Sequence, residues 1–184
     1  MSKKLTSKQE DILLQDYSRS LSTKSNALFY GNGLIVSAVP IMLFWRIHMM
    51  DPYQNAPLFA AVVLGCSYLI AFAYKNVKFV VKHRISQVRE DAISQELTQE
   101  APKGKKVSKK ERDDMLLWRK NEVADYEATT FSIFFNNVIF LLLVVFLSFF
   151  LLRSSSNLVN YLLSMLLSSG FVALLSTGSG AGKR

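Results

Sequence analysis

The chain has 184 residues, of which half are apolar and 20% charged, with a formal net charge of +8. Those averages would suit a soluble domain, but residues 27–45, 57–74, 131–152 and 158–175 contain no Asp, Glu, Lys, Arg or His. A bilayer core of ~30 Å takes roughly 17–25 apolar residues per helix, so each run is long enough to cross, and little chain remains for a separate catalytic domain. The expected fold class is all-α: a polytopic membrane protein with four transmembrane helices and a cytosolic antiparallel helical hairpin between the second and third spans.

Residues 1–26 are polar, carry both charge signs and do not read as a secretory signal. Ser7-Lys-Gln-Glu10 has capping-box spacing, and Ile12, Leu13, Leu14, Tyr17 and Leu21 follow at helical intervals. They predict a short amphipathic helix on the membrane surface or docked on a neighbour, or else a simple lead into the first span. In the first span, 27–45, Gly33 and Ser37 are four residues apart, a small-residue spacing that lets another backbone approach, and Pro40 predicts a kink. The connection 46–56 contains Asp51-Pro52, expected to cap the next helix, while Trp45 and Tyr53 suit the membrane interface.

The second span, 57–74, repeats the small-residue spacing at Ala61 and Gly65. Beyond it Val77, Val81, Ile85, Val88, Ala92 and Leu97 keep a helical stripe, so one continuous helix is expected to run to about Thr98. Ala101-Pro-Lys-Gly104 breaks the pattern. Ser108-Lys-Lys-Glu111 starts a new helix near Lys109, which returns through Met115, Leu116, Trp118, Val123 and Tyr126 into the third span, 131–152. The segment 75–130 is therefore expected to be a hairpin whose arms prolong two spans. A short connection, 153–157, makes the third and fourth spans neighbours. The fourth, 158–175, carries Asn160, Ser164 and Ser168 and is expected to face protein. Residues 176–184 form a Gly/Ser-rich tail.

Twenty of the twenty-two Lys and Arg residues lie in 1–26, 75–130 and 176–184; the two connections hold only Arg46 and Arg153. With four spans those three segments share one side, which the positive-inside rule makes cytosolic. Lys103, Lys105, Lys106, Lys109, Lys110 and Arg112 cluster at the hairpin tip, as either a solvated face or a phosphate-binding surface. A tip far from the bilayer lies beyond the ~8 Å reach of the lipid surface potential, which favours a nucleic-acid phosphate. Lys75, Lys78, Lys82 and Arg84 sit at the membrane boundary and are expected to meet lipid phosphates.

Catalytic chemistry has little to work with. The spans lack the ionisable groups that coupled carriers keep at membrane depth. The single cysteine, Cys66, reads as a buried apolar residue and excludes an internal disulfide. His48 and His83 fall in different connections and read as solvated interfacial residues; Asp113 and Asp114, adjacent on a helix, point apart. No cofactor or metal is expected.

Leu13-Leu-Gln-Asp-Tyr-Ser-Arg19, Ala71-Phe-Ala-Tyr-Lys-Asn-Val-Lys-Phe-Val80, Lys120-Asn-Glu-Val-Ala-Asp-Tyr-Glu-Ala-Thr-Thr-Phe-Ser-Ile-Phe134 and Leu174-Leu-Ser-Thr-Gly-Ser179 resemble the gamma-subunit family of the translocon-associated protein complex, also called the signal sequence receptor gamma family. The resemblance implies an endoplasmic reticulum membrane protein partnered by alpha, beta and delta subunits, the Sec protein-conducting channel, a docked ribosome and the lipid bilayer. It implies a non-enzymatic auxiliary role in the co-translational entry of nascent chains. Two other classes remain open from the residues themselves: a small oligomeric channel or carrier, and a lipid-binding scaffold.

Overall fold

The computed structural model describes residues 23–88 and 109–178. All regular structure among them is helical: α1 (Thr23–Arg46), α2 (Ala56–Val88), α3 (Lys109–Phe146), which passes into a π-helical turn at Leu147–Leu151, and α4 (Asn157–Gly178). Four stretches are long and apolar enough to cross a membrane: Ser25–Arg46, Ala56–Ile85, Trp118–Leu151 and Asn157–Gly178. The expected N-terminal amphipathic helix, residues 89–108 with most of the expected hairpin tip, and the tail from 179 lie outside the described residues. α1 is unbroken through Pro40. α2 continues without interruption past Tyr74-Lys75, and α3 runs uninterrupted through Phe131.

The helix ends show local chemistry that the sequence only partly announces. α1 stops because Met49 adopts φ 54°, the left-handed conformation usually left to glycine, and Met50 N–H returns 3.1 Å to the Phe44 carbonyl. Asp51 does not cap α2. Its Oδ1 accepts the Tyr53 N–H at 2.9 Å, closing a turn before the helix, and Asn55 takes the capping position ahead of Ala56, its carbonyl accepting Phe59 N–H at 2.9 Å. Pro52 sits in that turn and cannot begin the helix.

The chain divides into two compact units, and α2 and α3 contribute to both. The larger, over described residues 23–77 and 131–178, is a four-helix bundle with an interior of mixed character. Phe29, Phe44, Phe59, Ile70, Phe140, Val144 and Met165 are buried. Tyr161 lies edge-on to both Phe44 (5.0 Å) and Phe59 (4.8 Å). Among them lie Ser37, Ser132, Asn136, Asn160, Ser164, Ser168 and Ser169, also buried. The outward face of α4 is apolar, with Leu158, Leu163, Leu166, Leu167, Phe171, Leu174 and Leu175 exposed. Hydroxyls and amides kept to the interior with apolar side chains outside is the arrangement of a helix bundle whose solvent is lipid. The smaller unit, over described residues 78–88 and 109–130, brings the last turns of α2 against the first part of α3.

Candidate functional site

In the smaller unit the chemistry centres on Asp125. Lys78 and Lys82 are one turn apart on α2 and present their ammonium groups on one face. Lys78 Nζ donates to Asp125 Oδ2 at 2.9 Å and Lys82 Nζ to Oδ1 at 2.8 Å, so each carboxylate oxygen takes one lysine. Both lysine side chains are only 5% exposed, whereas that of Asp125 is 40% exposed. On α3, Thr129 Oγ1 donates to the Asp125 backbone carbonyl one turn earlier at 2.6 Å. Lys120 is buried in the same unit and makes its own electrostatic or hydrogen-bonding contact. Burying ammonium groups is costly unless each has a hydrogen-bonded counter-charge, and one carboxylate here serves two.

The boundary cations thus part company. Lys78 and Lys82 face inward onto Asp125. Lys75, in the larger unit, lies 4.7 Å above the Tyr30 ring, and Arg84 is exposed. At the tip, Lys103, Lys105 and Lys106 fall outside the described residues, and Lys109, Lys110 and Arg112 lie on the opening turns of α3.

A second polar cluster occupies the opposite end of the α2 apolar run, within the larger unit. Its origin is the π-helical turn, where Leu152 N–H bonds to the Leu147 carbonyl at 2.8 Å. Such a turn shifts the helical ladder and leaves carbonyls to be satisfied by other groups. Asn160 Nδ2 supplies donors to the Ser148 and Leu152 carbonyls at 3.0 and 3.2 Å. His48 Nε2 lies 2.9 Å from Ser148 Oγ, its ring stacked 4.7 Å from Phe44, and Asn157 Nδ2 donates to the His48 carbonyl at 2.7 Å. His48 is consequently half-buried rather than a solvated interfacial residue, and burial holds its imidazole below the usual histidine range.

A serine hydroxyl at hydrogen-bond distance from an imidazole is also the contact of a nucleophile and its base. Ser148 has no exposed surface, so a substrate carbonyl has no path to it in this conformation. The bond ties the α1–α2 connection to the π turn. Among the described residues no group of three or more His, Cys, Asp or Glu could hold a metal ion.

The small and polar residues of the spans fall into two sets. Gly33 lets α1 approach α2 so closely that a Cβ there would stand 3.0 Å from the Ser67 carbonyl oxygen. Ser37 hydrogen-bonds the Gly33 carbonyl. Asn160, Ser164 and Ser168 are buried on α4. Cys66 is buried too, its thiol 3.6 Å from the Met165 carbonyl and 3.5 Å from Ser169 Oγ. Ala61 and Gly65, by contrast, are exposed on the outer face of α2, and nothing stands within 4 Å of a Cβ built on Gly65.

Neither the Asp125 pairs nor the His48–Ser148 contact was singled out by sequence. The lysine spacing at 78 and 82 was a usable signal for the first; an acid one helix away gives no local cue. For the second, partners 100 residues apart and a π turn leave no short-range signature.

The family model described as "Translocon-associated protein, gamma subunit" matches residues 9–178. A relative from Dictyostelium discoideum, the translocon-associated protein subunit gamma, is 28% identical over 163 residues, which cover 89% of this chain and 92% of the relative.

Proposed function

Because the chain belongs to the translocon-associated protein gamma-subunit family, we propose that it is a non-enzymatic adapter coupling that complex, and through it the Sec channel, to the docked ribosome. It is a multi-pass membrane protein of the endoplasmic reticulum and a translocon-associated subunit. In the proposed arrangement both termini and residues 75–130 are cytosolic, α2 and α3 carry the basic segment Lys103–Arg112 toward rRNA phosphate, and the spans hold the alpha, beta and delta subunits. Lys75 and Arg84, which are not engaged with Asp125, meet lipid phosphates at the boundary. The outcome is assistance to nascent chains entering the channel.

The single observation that supports this reading best is the distribution of charge over a family-matched chain: twenty of twenty-two basic residues fall on one predicted side, six of them within ten positions of the tip. Each phosphate contact releases condensed counterions, so binding through such a cluster is strongly salt-dependent. The test replaces Lys103, Lys105, Lys106, Lys109 and Lys110 with Glu and measures ribosome co-sedimentation of native membranes at graded salt. Weaker binding with a shallower salt slope is expected. Unchanged binding and slope would remove the tip from the mechanism.

A further inference from the structure

Within the four apolar runs, the exposed polar side chains among the described residues are few: Tyr30 and Trp45 near the ends of α1, and Tyr68 on α2. Tyr30 is placed beside Lys75, and Trp45 carries Arg46 over its ring, as interfacial aromatics do. Tyr68 is different. It is 61% exposed, and its hydroxyl bonds to no described residue.

Tyr68 stands seven positions before Lys75, roughly 10 Å along the helix from the boundary at 1.5 Å per residue. Helical side chains lean toward the helix N-terminus, so the phenol lies over Leu64 and Gly65, near the middle of the apolar run. It therefore leans away from the Lys75 boundary. A hydroxyl held at that depth in hydrocarbon goes without a hydrogen bond unless another chain supplies one.

The surface around it suits that purpose. Gly65 and Ala61 lie about one and two turns earlier on the same outward face, and Leu64 is 62% exposed beside them. Small residues let a second helix bring its backbone, and hence its carbonyls, within reach. α4 offers the contrast within the same unit. Its serines at 164, 168, 169 and 176 are all turned inward, and its outer face is leucine and phenylalanine. That face needs only lipid.

We infer that the outer face of α2 formed by Ala61, Leu64, Gly65 and Tyr68 is the docking surface for a transmembrane helix of another subunit of the same complex. That helix presents a backbone carbonyl or a Ser/Thr hydroxyl to the Tyr68 O–H near mid-membrane. The inference rests on the multi-subunit reading above and adds which span meets the partner and through which group.

The test uses the full chain in native membranes. A photoreactive side chain is placed at Leu64 and, in a separate sample, at Leu167 on the outer face of α4; adducts are identified by mass spectrometry. The expected result is a Leu64 adduct with the transmembrane segment of a subunit of this complex, and lipid adducts alone from Leu167. Tyr68→Phe should lower co-purification of that subunit about threefold, the scale of one intramembrane hydrogen bond. Gly65→Leu should lower it about tenfold or more by holding the backbones apart, with an unchanged melting temperature because the position is open within this chain. Leu64 adducts with lipid only, or with a second copy of this chain, would overturn the inference, as would normal co-purification of both variants. Ribosome co-sedimentation of the same membranes reports separately on the adapter function, so a failure here with ribosome binding intact is confined to this interface.

Discussion

The two units bury polar groups by opposite means. The smaller one buries full charges, two lysines against one aspartate. The larger one buries neutral donors and acceptors: Ser132 Oγ donates to the Tyr74 carbonyl at 2.7 Å, Asn136 Nδ2 to the Ser132 carbonyl at 2.8 Å, and Tyr74 bonds Asn137. The difference follows from the apolar runs. Where the outward residues are leucine and phenylalanine, an ion pair would have no water to share its solvation, and neutral hydrogen bonds link helices at lower cost. Asp125, whose side chain is 40% exposed, retains part of its hydration while pairing with two lysines, and water at that side shares the triad's remaining positive charge.

Removing the shared acid is the strongest way to break this contrast. Asp125→Ala removes the acid that two buried ammonium groups share. It should cost about 3 kcal/mol, the low end for a broken buried pair because the carboxylate is itself partly hydrated. Hydrogen exchange in detergent should report the loss in residues 78–88 and 118–130. Replacing Lys78, Lys82 and Asp125 together with Met, Met and Leu should recover most of it, since an apolar substitute for an ion pair is often neutral or better. Failure of the triple variant to recover would mean that the lysines have further essential work.

In the larger unit the corresponding weak point is a packing distance. Gly33→Leu drives a branched side chain toward the Ser67 carbonyl, 3.0 Å from where its Cβ would sit. A loss of about 1–3 kcal/mol is expected, read as a lower melting temperature. The next effect has the other sign. Tyr161 is fully buried and its hydroxyl has no partner among the described residues, so Tyr161→Phe should leave the ring contacts in place and stabilise the bundle by roughly 1 kcal/mol. A destabilised variant would show that the hydroxyl is satisfied after all.

The smallest expected effect is a pH dependence. Burial lowers the folded-state pKa of His48, so the folded chain binds fewer protons than the unfolded chain between the two values. The contribution of His48 is fully present above the unfolded pKa of about 6.5 and is lost as pH falls through the lowered folded value. Melting temperature should therefore drop on acidification below about 6.5, and His48→Gln should flatten the profile in that window. An identical profile in the variant would exclude His48 as the group responsible.

Particular residues show where sequence reading succeeds and where it stops. The continuity of α2 past Lys75 was legible because Val77, Val81 and Ile85 keep the helical stripe, and a local repeat reports a local structure. The inward face of α4 was legible for a related reason: hydroxyls and an amide at that density are costly against lipid. Asp51 was misjudged because Asp-Pro suits both a helix cap and a turn, and the choice depended on Asn55 four residues later. Ala61 and Gly65 carried the same spacing as Gly33 and Ser37, yet one pair is exposed while the other packs inside. A small residue permits close approach without saying which neighbour makes it.

What the sequence alone determined is what depends on residues close together along the chain: four helices able to span a membrane, their continuation past the apolar runs, and the segregation of charge that predicts the sidedness. Family membership followed from the same linear order. The tertiary structure decided which polar groups meet. It paired Lys78 and Lys82 with Asp125 over sequence separations of 47 and 43, joined His48 to Ser148 over 100, and left Tyr68 facing outward. Helical periodicity places a residue on a face, but the partner opposite that face comes from another helix, and only packing sets their rotation and depth.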